Sequence, residues 1–351
     1  MDTRNIFLSF VDENGFQMVD RSNLVSKYFK NEFNLSGGHS HLVPAILSSE
    51  RVEKKDISVV DLCIRKTDAG IIGISNNHLL LFEMGVWGSF GYIDNKKQEE
   101  SRHLSLLLQF LKRCDINLEM LYFTICAGGQ YIGKEFLPDD DSYDILLSLG
   151  INSTHIFKTT GRRNFMLSRG IDRFAGYNIE VFVKRGELFV EVASSNIYQY
   201  INKLTHLERT VNTGIGCGVG IERIEFISKG CQSIYDLDFF KNTKDKIGEI
   251  LQIPYYSVNI ISDKVYRIIE LSKTVIFLIN DRQGIDKTAQ GKTMRSYLAK
   301  ITSEVSFLSI PLKDLFKIIK IEMDECFSER YSIRDESYNI FFNALAEQLE
   351  K

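Results

Sequence analysis

The residues whose spacing best suits chemistry are four alternating glycines that lead into an acid-base pair, in the stretch GIGCGVGIER at residues 214–223. Glycine has no Cβ, so such a run lets the backbone come close to a flat or phosphorylated ligand. Arg223, at the end of the run, can bind phosphate charge. The period of two does not match the G-x-G-x-x-G dinucleotide motif. Tight packing of a strand against its neighbour would explain the same glycines equally well.

Two carboxylates form a second set of candidate groups. Residues 178–183 and 187–192 alternate as strands and predict a β-hairpin about Arg185-Gly186. The alternation places Glu180 on one face of the first strand and Glu191 on one face of the second. A carboxylate on the inner face of a sheet needs a cation or a metal as a partner, whereas one on a solvated face needs none. The pattern alone leaves both interpretations open.

The remaining elements must position these groups. Arg65 follows a predicted strand at 57–64, and His78 precedes another at 79–84, so a hairpin of these strands directs both side chains into one loop-lined cavity. From Tyr235 onwards the apolar period becomes 3.6 residues and predicts helices. The sequence therefore predicts an α+β domain over residues 1–234 and a helical domain over residues 235–351. The predicted helices of the second domain cover residues 237–251, 265–278, 294–307, 312–326 and 338–349.

Composition narrows the classes of function. A chain of 351 residues with 44% hydrophobic residues can bury a sizeable core, and its length suggests two domains. The net charge of -3 argues against a surface that generally coats nucleic acid. The sequence shows neither a membrane-spanning apolar run nor a signal peptide, so we expect a cytoplasmic protein. Six scattered cysteines indicate neither a disulfide framework nor a zinc site.

Several motifs, in order, resemble one family. Residues 63–65 (CIR), 82–84 (FEM) and 88–92 (GSFGY) resemble the second signature motif of the alanyl-tRNA synthetases, which are class II synthetases. Residues 218–224 (GVGIERI) resemble their third motif. The resemblance continues, in order, through other segments of the chain, at residues 14–25, 235–239, 277–281 and 291–295.

This resemblance implies an antiparallel sheet flanked by helices that activates an amino acid with ATP and Mg²⁺. Arg65 would bind the α-phosphate and Arg223 the γ-phosphate. Glu180 and Glu191 match acidic positions that would serve Mg²⁺ or the substrate. Further ATP contacts would come from His78, Phe82, Glu83 and Phe90, with one of the two phenylalanines near the adenine. In the helical domain, the residues that would approach a tRNA acceptor stem are Lys287, Lys292 and Arg295.

The amino-acid pocket departs from the family pattern. Asn77 stands where the family has the arginine that contacts the substrate carboxylate. Gly216 stands where it has the acid that receives the ammonium group, with Asn212 close by, and Met166 replaces the tryptophan of the pocket. A charged hydrogen bond contributes roughly 1.5–3 kcal/mol, so these changes predict a substrate other than alanine. The arginines available as a replacement carboxylate clamp are Arg162, Arg163, Arg169 and Arg173.

Three functions are compatible with this pattern. The first is formation of an aminoacyl adenylate and its transfer to an acceptor other than tRNA, such as a carrier protein or a small amine. The second is a minimal tRNA ligase. The third is a catalytically silent module that binds a nucleotide, an amino acid or tRNA in a regulatory role. Class II domains often form homodimers through the first motif, but Ser26 replaces its usual proline.

Overall fold

Contacts within the chain divide it into two compact units. The computed structural model describes residues 2–25, 33–34, 37–161, 163–167, 173–252 and 261–350. Unit 1 consists of Met1–Ser22, Ser36–Asp61 and Glu83–Lys229. Unit 2 consists of Asn23–Leu35, Leu62–Phe82 and Gly230–Lys351. Two short N-terminal segments thus group with the C-terminal part, whereas the functional boundary near residue 235 stays a prediction.

One nine-stranded sheet dominates the strand structure, with the order β1-β2-β3-β11-β10-β9-β4-β7 and β8 paired with β9. The pairs from β3 through β11, β10 and β9 to β4 are antiparallel, which confirms the predicted antiparallel sheet at its centre. The pairs β1-β2 and β4-β7 are parallel, so the whole sheet is mixed. β5 and β6 form a separate hairpin. The strands are β1 Gln17–Met18, β2 Lys55–Ile64, β3 Leu81–Gly91, β4 Leu121–Cys126, β5 Gly129–Tyr131, β6 Lys134–Phe136, β7 Ile156–Thr159, β8 Phe165–Leu167, β9 Arg173–Arg185, β10 Leu188–Asn202 and β11 Leu207–Gly220.

In the described part of the chain, five helices belong to unit 1, and an aromatic cluster packs three of its elements together. Trp87 of β3 is fully buried, and its ring centroid lies 5.8–5.9 Å from those of Phe7, Phe10 and Phe110. Buried aromatic rings at such distances contribute strongly to a core. This cluster therefore fixes one helix-covered face of the sheet. The helices are α1 Thr3–Glu13, α2 His39–Ile46, α3 Lys96–Arg113, α4 Asp140–Ser148 and α5 Ile221–Ser228.

The helices predicted after Tyr235 are all present in unit 2, with ends that differ by a few residues. Their core includes Phe277, whose ring packs edge-on against Phe327 and Tyr331. Among the described residues, each helix is too short or too polar to span a bilayer. The helices of unit 2 are α6 Asp238–Ile250, α7 Ser262–Asn280, α8 Ala289–Leu308, α9 Leu312–Phe327 and α10 Asp335–Leu349.

The predicted hairpin of β9 and β10 is confirmed and carries a bulge. Arg185 pairs with Leu188, and Gly186 between them has a φ of +59°, which glycine adopts readily. The register then shifts between Glu191 and Ala193. A bulge adds a residue to one strand and changes the face on which the following side chains lie. Glu191 pairs with Phe182, two positions along β9 from Glu180, so both carboxylates belong to one face.

Candidate active site

The two faces of β3 separate residues that are neighbours in the sequence. Burial alternates along the strand, with Phe82, Met84 and Val86 half-buried and the residues between them buried. On the covered face, a Cβ at Gly85 would lie 2.7 Å from the ring of Phe7. The opposite face bears the half-buried residues and is the candidate site face, which we define by the row Val86, Gly218, Ser194, Glu180.

The strand register extends the site face across the sheet. Gly218 pairs with Val86 of β3 and with Ser194 of β10, and Ser194 pairs with Glu180 of β9. Glu180 in turn pairs with Thr124 of β4. Directly opposite residues of paired strands share a face. A second row runs parallel to the first and consists of Gly88, Gly216, Asn196 and Asn178.

The four glycines of β11 differ in what surrounds them. A Cβ at Gly214 would lie 3.0 Å from Phe90, and one at Gly216 would lie 2.5 Å from the carbonyl oxygen of Trp87. These two positions thus serve close packing, as the structural interpretation of the run predicts. At Gly218 the nearest atom would be 3.4 Å away, and at Gly220 the neighbour is the Arg223 side chain at 3.5 Å. The less crowded end of the run therefore lies beside Arg223.

Arg223 and Glu191 come together at this end. An Nη atom of Arg223 donates to the backbone oxygen of Glu191 at 3.0 Å and lies 3.4 Å from the Glu191 carboxylate. The exposed fractions of the two side chains are 18% and 31%. The preceding residue, Glu222, accepts from the backbone N–H of Glu83 at 3.0 Å. The start of α5 is thus attached to β3 and β10, which orients Arg223.

Glu180 lies next in a polar group on the same face. Its carboxylate is 3.4 Å from Nε of Arg163 and accepts a hydrogen bond from Oγ1 of Thr124 at 3.4 Å. Only 19% of the Glu180 side chain is exposed, whereas 61% of the Arg163 side chain is exposed. Among the clamp arginines that the structure describes, Arg163 lies beside a candidate site residue. Arg162 and Arg169, like Ser26, lie outside the described residues, and Arg173 pairs with Asn202 in the sheet.

Besides Glu180, three residues predicted for the amino-acid pocket lie in unit 1, and their surroundings differ. Met166 pairs with Gly176, two positions from Asn178, and shares the site face. Gly216 also lies on this face, but the backbone of β3 occupies the space of a side chain there. Asn212 is fully buried and donates to the carbonyl oxygens of Ala45 and Glu50, which makes it an anchor for the α2–β2 loop. We therefore correct the placement of Asn212 in the pocket.

Phe90 and Glu83, both predicted to contact ATP, lie on opposite faces of β3. Phe90 is on the site face, yet its side chain is 6% exposed and lies across Gly88 and Gly214. Glu83 belongs to the covered face, where 2% of it is exposed and Oε1 accepts from Nε of Arg4 at 2.9 Å. Adjacent residues of a strand point to opposite faces. The structure therefore does not bring Glu83 together with Phe82 and Phe90.

The covered face carries Ser89, His103 and Glu99, which have the composition of a catalytic triad but not its geometry. Oγ of Ser89 lies 2.8 Å from Nε2 of His103 and 2.7 Å from Glu99. Glu99 approaches the same Nε2 atom, while Nδ1 has no partner among the described residues. A triad needs the acid on the other ring nitrogen. The ring is fully buried, which lowers the pKa of His103, so this group is structural.

In unit 2, the segment between β2 and β3 holds the other predicted nucleotide contacts. Arg65 is half-buried, and its backbone N–H donates to the oxygen of Leu80 at 3.0 Å. Oγ of Ser75 lies 2.6 Å from Nδ1 of His78 and 2.7 Å from the Asn77 amide oxygen. Asn77 and His78 therefore share one hydroxyl partner within a single turn. Phe82 is half-buried at the start of β3.

The predicted acceptor-binding residues surround the start of α8. Thr288 caps this helix by accepting from the N–H of Gly291 at 3.1 Å. Lys287 and Lys292 are exposed, whereas Arg295 is half-buried and donates to the backbone oxygen of Asp286. A Cβ at Gly291 would lie 2.3 Å from that oxygen, so this glycine permits the close approach. The two lysines offer exposed positive charge, and Arg295 stabilises the turn.

The site face fits a magnesium ion that also binds phosphate. No group of three or more His, Cys, Asp or Glu side chains suited to a metal occurs in the described part of the chain. Mg²⁺ usually takes only one or two carboxylates, with waters and substrate phosphates as further ligands. Glu180 and Glu191 are half-buried carboxylates on one face and meet this requirement.

The sequence predictions did not include several polar residues of the site. Ser194, Asn196 and Thr124 lie on the site face through their register with Glu180 and Asn178. The alternation of β10 indicates which of its residues share a face, but the partner of each residue follows only from the pairing. The turn at Gly186 alone would have paired Glu180 with Ala193, and the bulge at Val192 brings Ser194 to that position instead.

Comparisons with known proteins agree with the motif pattern. The family described as tRNA synthetases class II (A) matches residues 2–340. The alanine–tRNA ligase of Leptospira biflexa is 23% identical and covers 95% of this chain, and that of Wigglesworthia glossinidia is 26% identical over 85% of it. The chain spans only 37% and 35% of the length of these relatives.

Solved structures of synthetases also match. A histidyl-tRNA synthetase from S. aureus, in its apo form, has a TM-score of 0.42 at 12% identity and covers 71% of this chain, which covers 75% of that protein. A histidine–tRNA ligase subunit from Alicyclobacillus acidocaldarius has a TM-score of 0.41 at 10% identity, covers 65% of this chain and is itself covered over 92% of its length.

Proposed function

The chain belongs to the class II tRNA synthetase family, and from this premise we propose that it forms an aminoacyl adenylate from an amino acid and ATP. The observation that carries the proposal is the Arg223–Glu191 pair beside Gly220, on the site face that also bears Glu180. An arginine supplies charge for a phosphate, and the carboxylates supply oxygen ligands for Mg²⁺.

In the proposed reaction, a carboxylate oxygen of the amino acid bonds to the α-phosphorus of ATP. The bond from that phosphorus to the bridging oxygen breaks, and pyrophosphate leaves. Negative charge develops on the phosphoryl oxygens, and positioned arginines stabilise it. Arg65 would contact the α-phosphate and Arg223 the γ-phosphate, while His78, Phe82 and Phe90 would contact the nucleotide. Mg²⁺ held by Glu180 and Glu191 would neutralise phosphate charge.

The substrate is proposed to be an amino acid other than alanine. Asn77 and Gly216 lack the charges that the family uses for the carboxylate and the ammonium group. Arg163, beside Glu180, is the proposed carboxylate clamp. Glu180 would serve either Mg²⁺ or the ammonium group of the substrate. In the latter role, the pocket would recognise both charges of an amino acid through residues of β8 and β9 and the preceding loop.

The acceptor of the aminoacyl group is proposed to be tRNA or a non-tRNA biosynthetic acceptor, such as a carrier protein or a small amine. The exposed Lys287 and Lys292 at the start of α8 support a phosphate-bearing acceptor such as the tRNA acceptor stem. Replacing Lys292 and Arg295 together by alanine should weaken tRNA binding and reduce its salt dependence. Removing the exposed Lys313 and Lys317 of α9 provides the matched control. Equal tRNA binding by both double variants would favour a small amine or a carrier protein.

ATP–pyrophosphate exchange tests the adenylation itself. The protein would be assayed against proteinogenic, D-, β- and non-proteinogenic amino acids. We expect exchange with a narrow set of them, and we expect Arg223→Ala to lower it by roughly 100-fold or more. Arg113→Ala is the control, because Arg113 also pairs with a glutamate, at the exposed Glu13.

Two results would contradict the proposal. Exchange and ATP affinity that survive Arg223→Ala unchanged would remove this arginine from the phosphate site. Silence with every amino acid, combined with ATP binding, would identify a nucleotide-binding module rather than an adenylating enzyme.

A further inference from the structure

The segment from Arg65 to Phe82 carries four of the proposed site residues but little regular structure. Apart from a 3₁₀ turn at Lys66–Gly70, and the start of β3 at Leu81, it is loop. A loop places catalytic side chains accurately only when other elements fix its backbone. The contacts that fix this one come from helices of the same unit.

Tyr235 binds the segment at two points. Its hydroxyl accepts from the N–H of Gly73 at 2.8 Å and donates to the carbonyl oxygen of His78 at 2.9 Å. The side chain is 1% exposed, and its ring stacks on Tyr266 of α7 with centroids 4.3 Å apart. Burial raises the pKa of Tyr235, so the hydroxyl keeps the proton that it donates. The turn that ends at His78 is thus closed around one hydroxyl.

Glu270 of α7 binds the end of the segment. Its Oε1 accepts from the N–H groups of both Leu80 and Leu81, each at 2.7 Å. Its other oxygen lies 2.8 Å from Nζ of Lys273, which donates to the carbonyl oxygen of Leu81 at 2.9 Å. Glu270 is fully buried and Lys273 is 3% exposed. A buried ion pair is costly, and here Oε1 of Glu270 and Nζ of Lys273 both bind one stretch of backbone, whereas Oε2 of Glu270 accepts no hydrogen bond from the described residues and has only the ion pair.

Close backbone contacts complete the attachment. Gly73 has a φ of +77°, and a Cβ there would lie 2.3 Å from the carbonyl oxygen of Asp263 at the start of α7. The N–H of Ile234 donates to the carbonyl oxygen of Asn76 at 2.8 Å. The segment therefore follows the surface of α7 and the residues before α6, rather than lying free between two strands.

We infer that Tyr235 and Glu270 are positioning residues for nucleotide binding, which act by holding the backbone around His78 and Arg65. This inference rests on the proposed function, in which Arg65 and His78 contact ATP. The helical part of the chain then contributes to formation of the aminoacyl adenylate, and its role is not limited to binding the acceptor. A domain boundary near residue 235 would separate the segment from Arg65 to Phe82 from Tyr235, the side chain that holds it.

Tyr235→Phe tests the inference, because it removes the hydroxyl and keeps the stacked ring. We expect the dissociation constant of Mg-ATP, measured by titration calorimetry on the full chain, to rise roughly 3- to 10-fold, as the loss of ordinary hydrogen bonds predicts. Hydrogen exchange at Gly73 should accelerate in the same variant, because this amide loses its acceptor. Glu270→Gln should act in the same direction if it folds, since it unpairs Lys273.

Two tyrosines of the same unit are matched controls. The hydroxyl of Tyr297 is buried and has no partner among the described residues, so Tyr297→Phe should leave ATP affinity unchanged and should not lower stability. The hydroxyl of Tyr338 donates to Asp324 at 2.8 Å, so Tyr338→Phe should lower stability alone.

The outcomes separate the inference from the proposed function. Unchanged ATP affinity in Tyr235→Phe, with a lowered melting temperature, would make this tyrosine purely structural. An equal loss of affinity in Tyr338→Phe would show that general stability of the unit is responsible. If the unaltered protein binds no ATP, the proposed function fails, and with it the role of Tyr235 in nucleotide binding; the exchange rate at Gly73 then reports only whether the hydroxyl holds the loop.

Discussion

The two faces of β3 show how one strand can serve packing and chemistry at the same time. On the covered face, Trp87 is fully enclosed by aromatic rings, and Ser89 is bound by a buried histidine. On the site face, Gly216 pairs with Gly88 and Gly218 pairs with Val86, and polar residues of β9 and β10 continue the two rows. The covered face thus provides rigidity, and the site face provides open space. Substitutions on the two faces should therefore change different quantities.

The largest expected effect is on the covered face, at Trp87. Trp87→Ala removes the ring that packs against Phe7, Phe10 and Phe110, and should lower the free energy of unfolding by about 3–5 kcal/mol. Urea denaturation followed by circular dichroism measures this. A loss below about 1 kcal/mol would mean that the aromatic cluster is not what holds this face.

A buried carboxyl group behind the covered face makes the stability of the protein depend on pH. Glu100 of α3 is 2% exposed and accepts from Oγ of Ser142, which also lies 2.7 Å from Asp139. Burial, with Asp139 nearby, raises the pKa of Glu100 from 4.5 to about 8. The folded state therefore holds this proton more tightly than the unfolded state between these values. Stability from this group is present below about pH 4.5 and is lost as the pH rises through about 8.

Glu100→Gln should flatten that decline, because the amide cannot ionise. At pH 9 we expect the variant to be more stable than the unaltered protein by about 1–3 kcal/mol, the usual size of a buried unsatisfied polar group. Unfolding measured from pH 5 to pH 9 checks the slope, with the exposed Glu119→Gln as the control. Parallel curves for the two variants would contradict a raised pKa at Glu100.

On the site face, two glycines of one strand form a matched pair. A Cβ at Gly216 would lie 2.5 Å from the Trp87 carbonyl oxygen, whereas at Gly218 the nearest atom would be 3.4 Å away. Gly216→Ala should therefore cost about 1–3 kcal/mol of stability, and Gly218→Ala less than about 0.5 kcal/mol. Thermal unfolding compares them directly. Similar losses at both positions would mean that the glycine run serves packing along its whole length.

Helices and strands could be predicted from the sequence, whereas contacts between residues distant in the chain could not. The hairpin about Gly186 and the helices of unit 2 follow from local alternation and period, so they could be predicted. The bulge at Val192, which places Ser194 rather than Ala193 opposite Glu180, depends on pairing across the hairpin. Contacts of Tyr235 and Glu270 join residues 157 and 190 positions apart, and local patterns carry no signal for them.

Glu83 stands next to Phe82 in the motif and yet lies on the covered face, so its substitution should change stability slightly and leave nucleotide binding unchanged. Glu83→Gln keeps the size of the side chain and removes the charge that pairs with Arg4. We expect a loss of stability of about 1 kcal/mol, since Nε of Arg4 keeps a neutral acceptor, and an unchanged affinity for Mg-ATP. Arg4→Gln should cost a similar amount, and the double variant should show coupling between the two sites. Calorimetric titration and urea unfolding of all three variants separate the two faces. A weakened ATP affinity in Glu83→Gln, without coupling to Arg4, would place this carboxylate with the nucleotide, and the assignment of faces along β3 would fail with it.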